Sequence, residues 1–154
     1  MDSQRYGFEI VFLLGGTFRH LIDQLHRDLA AQGYPEARPI HGFALQAIGP
    51  HGITISDLGR QLGVSKQAAA KTAKSLESAG YVTRHPGPAD ARVVLLRRTA
   101  RAEAMTTLSA RFFERQVREW QEMLGVERFE VMIEALATIG EGTRIGDLPG
   151  WLGQ

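Results

Sequence analysis

The chain has 154 residues, no cysteine, 18 Lys and Arg against 17 Asp and Glu, and 44% hydrophobic residues. That length can bury one sizeable core, and the missing thiols exclude disulfides, thiolate metal sites and cysteine-based redox sensing. No apolar run reaches the ~20 residues of a membrane span and no signal-peptide pattern opens the chain, so a cytoplasmic, membrane-independent protein of one domain is expected.

The first predicted helix covers Phe8 to Ala31, with Val11, Leu14, Phe18, Leu21, Leu25 and Leu29 at helical spacing and Phe12 and Ile22 widening the stripe. Such a helix has more apolar surface than one small domain easily covers. Gly15-Gly16 inside it marks a kink or a close backbone approach, and Gly33-Tyr34-Pro35 ends it. A shorter helix is predicted from Pro39 to Ile48, followed by a loop, Gly49-Pro50-His51-Gly52.

From Thr54 onward the pattern is helix, tight turn, helix and hairpin. Thr54 with Asp57 three residues on is a capping signature, Leu58 and Leu62 face a core, and Gly63 supplies the reversal. Ser65 caps a second helix that runs to about Ala79, where Gly80 stops it. At 100° per residue, Lys66, Gln67, Ala70, Lys71, Lys74 and Ser78 fall in one arc of about 140°. Ala69, Thr72, Leu76 and Ala79 lie opposite and are expected to pack inward. Lysines on such an arc can neutralise phosphates, Gln67 can pair with adenine, and Ala70 can meet a thymine methyl. The plain alternative is a solvated basic face.

Tyr81 to Arg84 reads as a strand, His85 to Ala89 as a turn-rich tip, and Arg92 to Arg97 as a second strand. Asp90 and Arg92, two apart in an extended segment, are expected on one side, where the carboxylate can hold the guanidinium toward a narrow minor groove or tie down the tip through backbone hydrogen bonds. From Arg60 to Arg101 nine basic residues face two acidic ones, Glu77 and Asp90, a local net of +7. The remainder carries −6. One strongly basic third on an acidic body is a nucleic-acid footprint that needs no motif.

After the hairpin, Thr99 caps a long predicted helix to about Leu124, with Met105, Leu108, Phe112, Val117, Trp120 and Leu124 on its apolar face. Gly125 breaks it, and a last helix from Glu127 to about Ile139 carries Phe129, Met132, Ile133 and Leu136 at i, i+3, i+4, i+7. The glycine-rich tail from Gly140 is expected to be loosely ordered, with Trp151 and Leu152 available for docking. The five histidines fit no metal-ligand spacing, and neither a phosphate-binding glycine loop nor a nucleophile elbow is present, so no catalysis, metal or cofactor is expected.

The segments VSKQAAAKTAKSLESAGYVTR and DARVVLLRRTARAEA resemble, in register and without gaps, the recognition helix and wing of the MarR (multiple antibiotic resistance regulator) family. Arg98 departs from the leucine usual there, and Ala102 from glycine. The resemblance implies a mainly α fold with a small β-wing, a winged helix-turn-helix flanked by dimerisation helices. The boundaries expected are 8–32 and 99–140 for those helices, 38–98 for the DNA-binding region and 141–154 for the tail, within one domain over 1–154. It further implies a homodimeric repressor of transcription on a palindromic duplex. Ser65, Lys66, Gln67, Ala70, Lys71, Lys74, Arg84, His85, Asp90 and Arg92 are the candidate DNA-binding residues. A small aromatic or anionic effector would sit among Phe12, Phe18, His20, Phe43, Phe112 and Trp120, which helical spacing alone would assign to the core. The competing readings are intramolecular packing of the terminal helices and a winged protein-interaction module that reads no DNA.

Overall fold

A computed structural model describes residues 3–141, with side chains from residue 6 onward. Six helices and one two-stranded antiparallel sheet follow in the order α1 (Ser3–Ala31), α2 (Pro39–Ile48), α3 (Ile55–Leu62), α4 (Lys66–Ser78), β1 (Val82–Pro86), β2 (Val94–Arg98), α5 (Ala100–Leu124) and α6 (Val126–Ile139). The expected tail beyond Glu141, with Trp151 and Leu152, lies outside the described residues. The chain forms two compact units, Met1–Ala37 and Arg38–Gln154. Among the described residues no helix is long and apolar enough to cross a membrane.

In the first unit α1 runs through Gly15-Gly16 without interruption, and a Cβ built on either glycine meets nothing within 4 Å. Of the two expectations, a close backbone approach is therefore not what the glycines serve among the described residues. Leu25 and Leu29 are buried, whereas the N-terminal half exposes Phe8 and Phe12 by 80% and 72%, with Ile10, Val11, Leu13 and Leu14 beside them.

The second unit is built around α2, α3 and α4. Thr54 Oγ1 accepts the Asp57 amide at 3.1 Å and donates to the Asp57 carboxylate at 2.7 Å, which satisfies an orphan amide at the start of α3. Gly63 closes α3 in the left-handed conformation (φ 64°, ψ 28°), the geometry that favours a residue without Cβ. Gly59 is small for another reason. A Cβ there would lie 3.2 Å from the Val64 carbonyl oxygen and 3.4 Å from Ala69 Cβ, so it sets how closely α3 and α4 cross.

Leu45, Leu58, Leu62, Leu76 and Leu96 are fully buried, each contributing roughly 1.5–3 kcal/mol over exposure. The inward stripe of α4 is Ala69, Ala73 and Leu76; Thr72 and Ala79, expected there, are only half-buried. Ala73 completes the i, i+4, i+7 row that meets α3 and α2, so the helix is rotated slightly from the expected orientation.

The hairpin pairs Val82 with Arg98 through Pro86 with Val94. β1 thus extends through His85 and Pro86, which the turn chemistry alone places in the tip, and β2 begins at Val94 rather than Arg92. A two-residue bridge from Ile53 to Leu96 (3.1 and 2.8 Å) braces the sheet on its other edge and leaves no mark in the sequence pattern. Gly52 allows it, since a Cβ there would sit 2.7 Å from the Leu96 oxygen. Thr99 caps α5 by accepting the Ala102 amide.

Candidate nucleic-acid interface

Ser65 Oγ accepts the Ala68 amide at 3.1 Å, so α4 begins at Lys66 with its first turn in solvent. Lys66, Gln67, Lys71, Lys74 and Ser78 are exposed and Ala70 is half-buried, as the arc requires. Among the described residues none of the three lysines has an ion-pair partner. The opposite face is anchored in the core. His41, on α2, accepts the Arg38 amide at Nδ1 (3.3 Å), which assigns the ring proton to Nε2, 2.9 Å from Ser75 Oγ on α4. Nδ1 therefore caps the start of α2, and Nε2 joins α2 to α4. Among the described residues no group of three His, Asp or Glu side chains converges for a metal.

The end of α4 is tied to the start of α5. Arg101 Nε donates to the Ala79 carbonyl (3.2 Å), Thr99 Oγ1 to that of Gly80 (2.6 Å) and the Thr99 amide to that of Tyr81 (3.0 Å). The Arg101 guanidinium also lies 5.5 Å from the centre of the buried Tyr81 ring.

At the wing tip Asp90 and Arg92 do lie together, for a reason other than strand alternation. Both are in the turn between β1 and β2. The Asp90 carboxylate accepts the Arg92 amide at 2.9 Å and the Arg92 Nε and Nη2 at 3.1 Å each. The turn and the charge pairing are one arrangement, so the two roles expected of Asp90 coincide. The Arg92 guanidinium, and secondarily its amide, hold the Asp90 carboxyl below its ordinary pKa. The Arg92 side chain is 91% exposed, a cation held outward at the tip. Gly87 makes the tip compact, since a Cβ there would lie 2.9 Å from the Asp90 oxygen and 3.2 Å from Val93 Cβ.

Arg84 is placed differently from expectation. Its Nε and Nη2 donate to the two oxygens of Glu77 on α4, both at 2.9 Å. The hydrogen bond from Arg84 lowers the Glu77 pKa and raises that of Arg84. His85 Nε2 lies 2.8 Å from Thr83 Oγ1, two residues back on the same strand face. Arg97, which sequence reasoning misses, is exposed and, among the described residues, without an ion-pair partner. Its position facing out of β2, one residue past buried Leu96, is the signal that could have found it.

The expected effector residues divide between the two units. Phe12, Phe18 and His20 lie on α1, with His20 hydrogen-bonded to Gln24 at 2.9 Å. Phe43 is half-buried on α2, and on α5 Trp120 is half-buried while Phe112 is buried edge-on against Phe113. The Arg115 guanidinium lies 5.8 Å from the Phe112 ring centre.

A helix-turn-helix whose second helix offers unpaired lysines to solvent, followed by a hairpin with an outward arginine, defines a winged helix-turn-helix. Residues 38–93 match the model of the MarR family. That match covers 56 of the 154 residues and falls on the helix-turn-helix and the wing. Comparison with curated protein sequences finds no match. Among solved structures the chain is similar to FabT of Streptococcus pneumoniae, solved in complex with DNA, at 23% identity and TM-score 0.74 over 90% of this chain and 94% of that one. A MarR family protein from Bacillus stearothermophilus matches at 19% and 0.71, over 92% and 97%. CouR from Rhodococcus jostii RHA1, bound to p-coumaroyl-CoA, matches at 19% and 0.65, over 92% and 98%. At these identities the solved structures establish the fold.

Proposed function

We propose that the protein is a homodimeric, sequence-specific double-stranded DNA-binding repressor of transcription, released by a small-molecule effector. The observation that carries this reading is the arc of unpaired lysines on α4 beside an arginine pinned outward by Asp90. Lys66, Lys71 and Lys74 contact phosphates, Gln67 and Ala70 meet base edges, and Arg92 follows the minor groove. Ser65 and His85 flank those contacts. FabT, of the same fold, was solved on DNA, and CouR with an acyl-CoA, which supports both a nucleic-acid partner and a small anionic or aromatic effector. One recognition helix reads few base pairs. Two-fold pairing through the terminal helices supplies the second half-site about one helical turn, roughly 34 Å, away. An effector acts by preferring a spacing of the two reading heads that the operator does not match.

Selection of bound duplexes from a random pool tests this. The expected product is an inverted repeat with half-sites one turn apart, and an operator so found should lower transcription when occupied. No enrichment at low salt favours the winged protein-interaction module instead.

A further inference from the structure

The hairpin that carries Arg92 is a two-stranded ribbon, and such a ribbon alone is at best marginally stable in water. Its tip is six residues beyond Arg84. Even four extended residues span about 13 Å, so a tilt of about 10° at the root displaces the far end by roughly 2 Å. That is beyond the tolerance of a hydrogen bond to a groove edge. Something must fix the wing against α4.

Two attachments are backbone or core: the Gly80-Tyr81 link and the Ile53–Leu96 bridge. Thr99 adds two hydrogen bonds at the root, to the carbonyls of Gly80 and Tyr81, and a further attachment joins the outer surfaces. Glu77 is in the last turn of α4 and Arg84 is the third residue of β1, and they meet through two parallel hydrogen bonds at 2.9 Å. Their side chains are 31% and 42% exposed, so the pair lies at the rim rather than in the core. A bidentate fork fixes orientation as well as distance, which a single contact does not.

We propose that the Glu77–Arg84 pair is a clamp that sets the angle of the wing to the recognition helix, making both positioning residues and removing Arg84 from the phosphate contacts. The proposal rests on the DNA-binding reading above. It predicts that neither residue touches the duplex and that their effects on binding are mutually dependent.

The test is a double-mutant cycle on the selected duplex at several salt concentrations, with melting temperature as a control for folding. Glu77→Gln and Arg84→Gln should each weaken binding about three- to fivefold, the upper range for a well-formed exposed ion pair. The double variant should lose no more than either single one, and the exchange Glu77→Arg with Arg84→Glu should recover most of the affinity. The salt slope should be the same throughout. A slope lowered by about 0.9 per copy in Arg84→Gln, with tighter binding in Glu77→Gln, would overturn the clamp in favour of a direct phosphate contact. Unchanged affinity in both single variants would overturn it as well. If the unaltered protein binds no duplex, the DNA reading fails by itself, and amide hydrogen exchange across 83–86 and 94–97 decides the clamp. Faster exchange in Glu77→Gln, restored by the charge exchange, supports it, and unchanged exchange refutes it.

Discussion

The segment from α2 to β2 and the terminal helices solve the burial problem in opposite ways. The central segment closes on itself: Leu45, Leu58, Leu62, Leu76 and Leu96 are all fully buried within one unit, and the outer face of α4 keeps only charged and polar side chains and alanines. The terminal helices do not close. Residues 10–14 of α1 are five consecutive apolar side chains, apolar all round the helix and all exposed, and α6 leaves Val131, Ile133, Leu136 and Ile139 between 41% and 79% exposed, although the spacing of Ile133 and Leu136 puts them in a stripe expected to pack. A helix apolar all round belongs in an interior, and exposed patches of this kind mark interaction surfaces. The comparison teaches that the proposed reading and pairing surfaces are separable in this chain, one built on a closed core and the other on exposed apolar side chains.

The strongest way to break that contrast is on α1. Phe8→Glu combined with Phe12→Glu should convert the proposed dimer to a monomer in sedimentation while the wing and α4 keep their amide protection. Binding to a two-half-site duplex should then fall by on the order of 100-fold or more, since the second reading head no longer benefits from a high effective concentration. A dimer that survives both charges would place pairing elsewhere.

A smaller effect is expected at the joint between wing and α5. Arg98 has a side chain only 14% exposed, and its Nε lies 3.0 Å from Glu103 Oε1 in an ionic contact rather than an aligned hydrogen bond. Glu103 is 55% exposed. Removing one partner of a buried pair costs more than replacing the charge with an apolar side chain. Arg98→Leu should therefore change stability in urea by less than about 1 kcal/mol, and Glu103→Ala should cost about 1–2 kcal/mol. The reverse order would show that the guanidinium has another partner.

The sequence made the local chemistry of the central segment readable. Thr54, Ser65 and Thr99 each accept the amide three residues on, and α2 begins at Pro39 and ends at Ile48, because caps, prolines and glycine reversals act within a few residues. What is not readable depends on elements distant in the chain. Ala73 displaces Thr72 from the core because the approach of α2 and α3 sets the rotation of α4, and an alanine gives no hydropathy signal strong enough to choose. Arg84 reads as a free cation because Glu77, seven residues earlier, meets it only after the chain turns at Gly80. Arg92 reads as a strand residue because its amide is claimed by a side-chain oxygen of Asp90, in a turn that the Asp90 carbonyl closes on the Val93 amide. The candidate interface is therefore legible as a set of charges, and which charges are free is not.

The most direct measurement is the salt dependence of binding by Lys71→Ala. Lys71 is exposed, central to the arc and, among the described residues, without an ion-pair partner, and the proposed symmetric pair would present it twice. Removing one lysine–phosphate interaction should lower the slope of log K against log salt by about 0.9, so this account predicts a fall of about 1.8 with the fold intact. A fall of about half that size would mean one engaged head, and an unchanged slope would contradict the claim that this face of α4 lies on DNA.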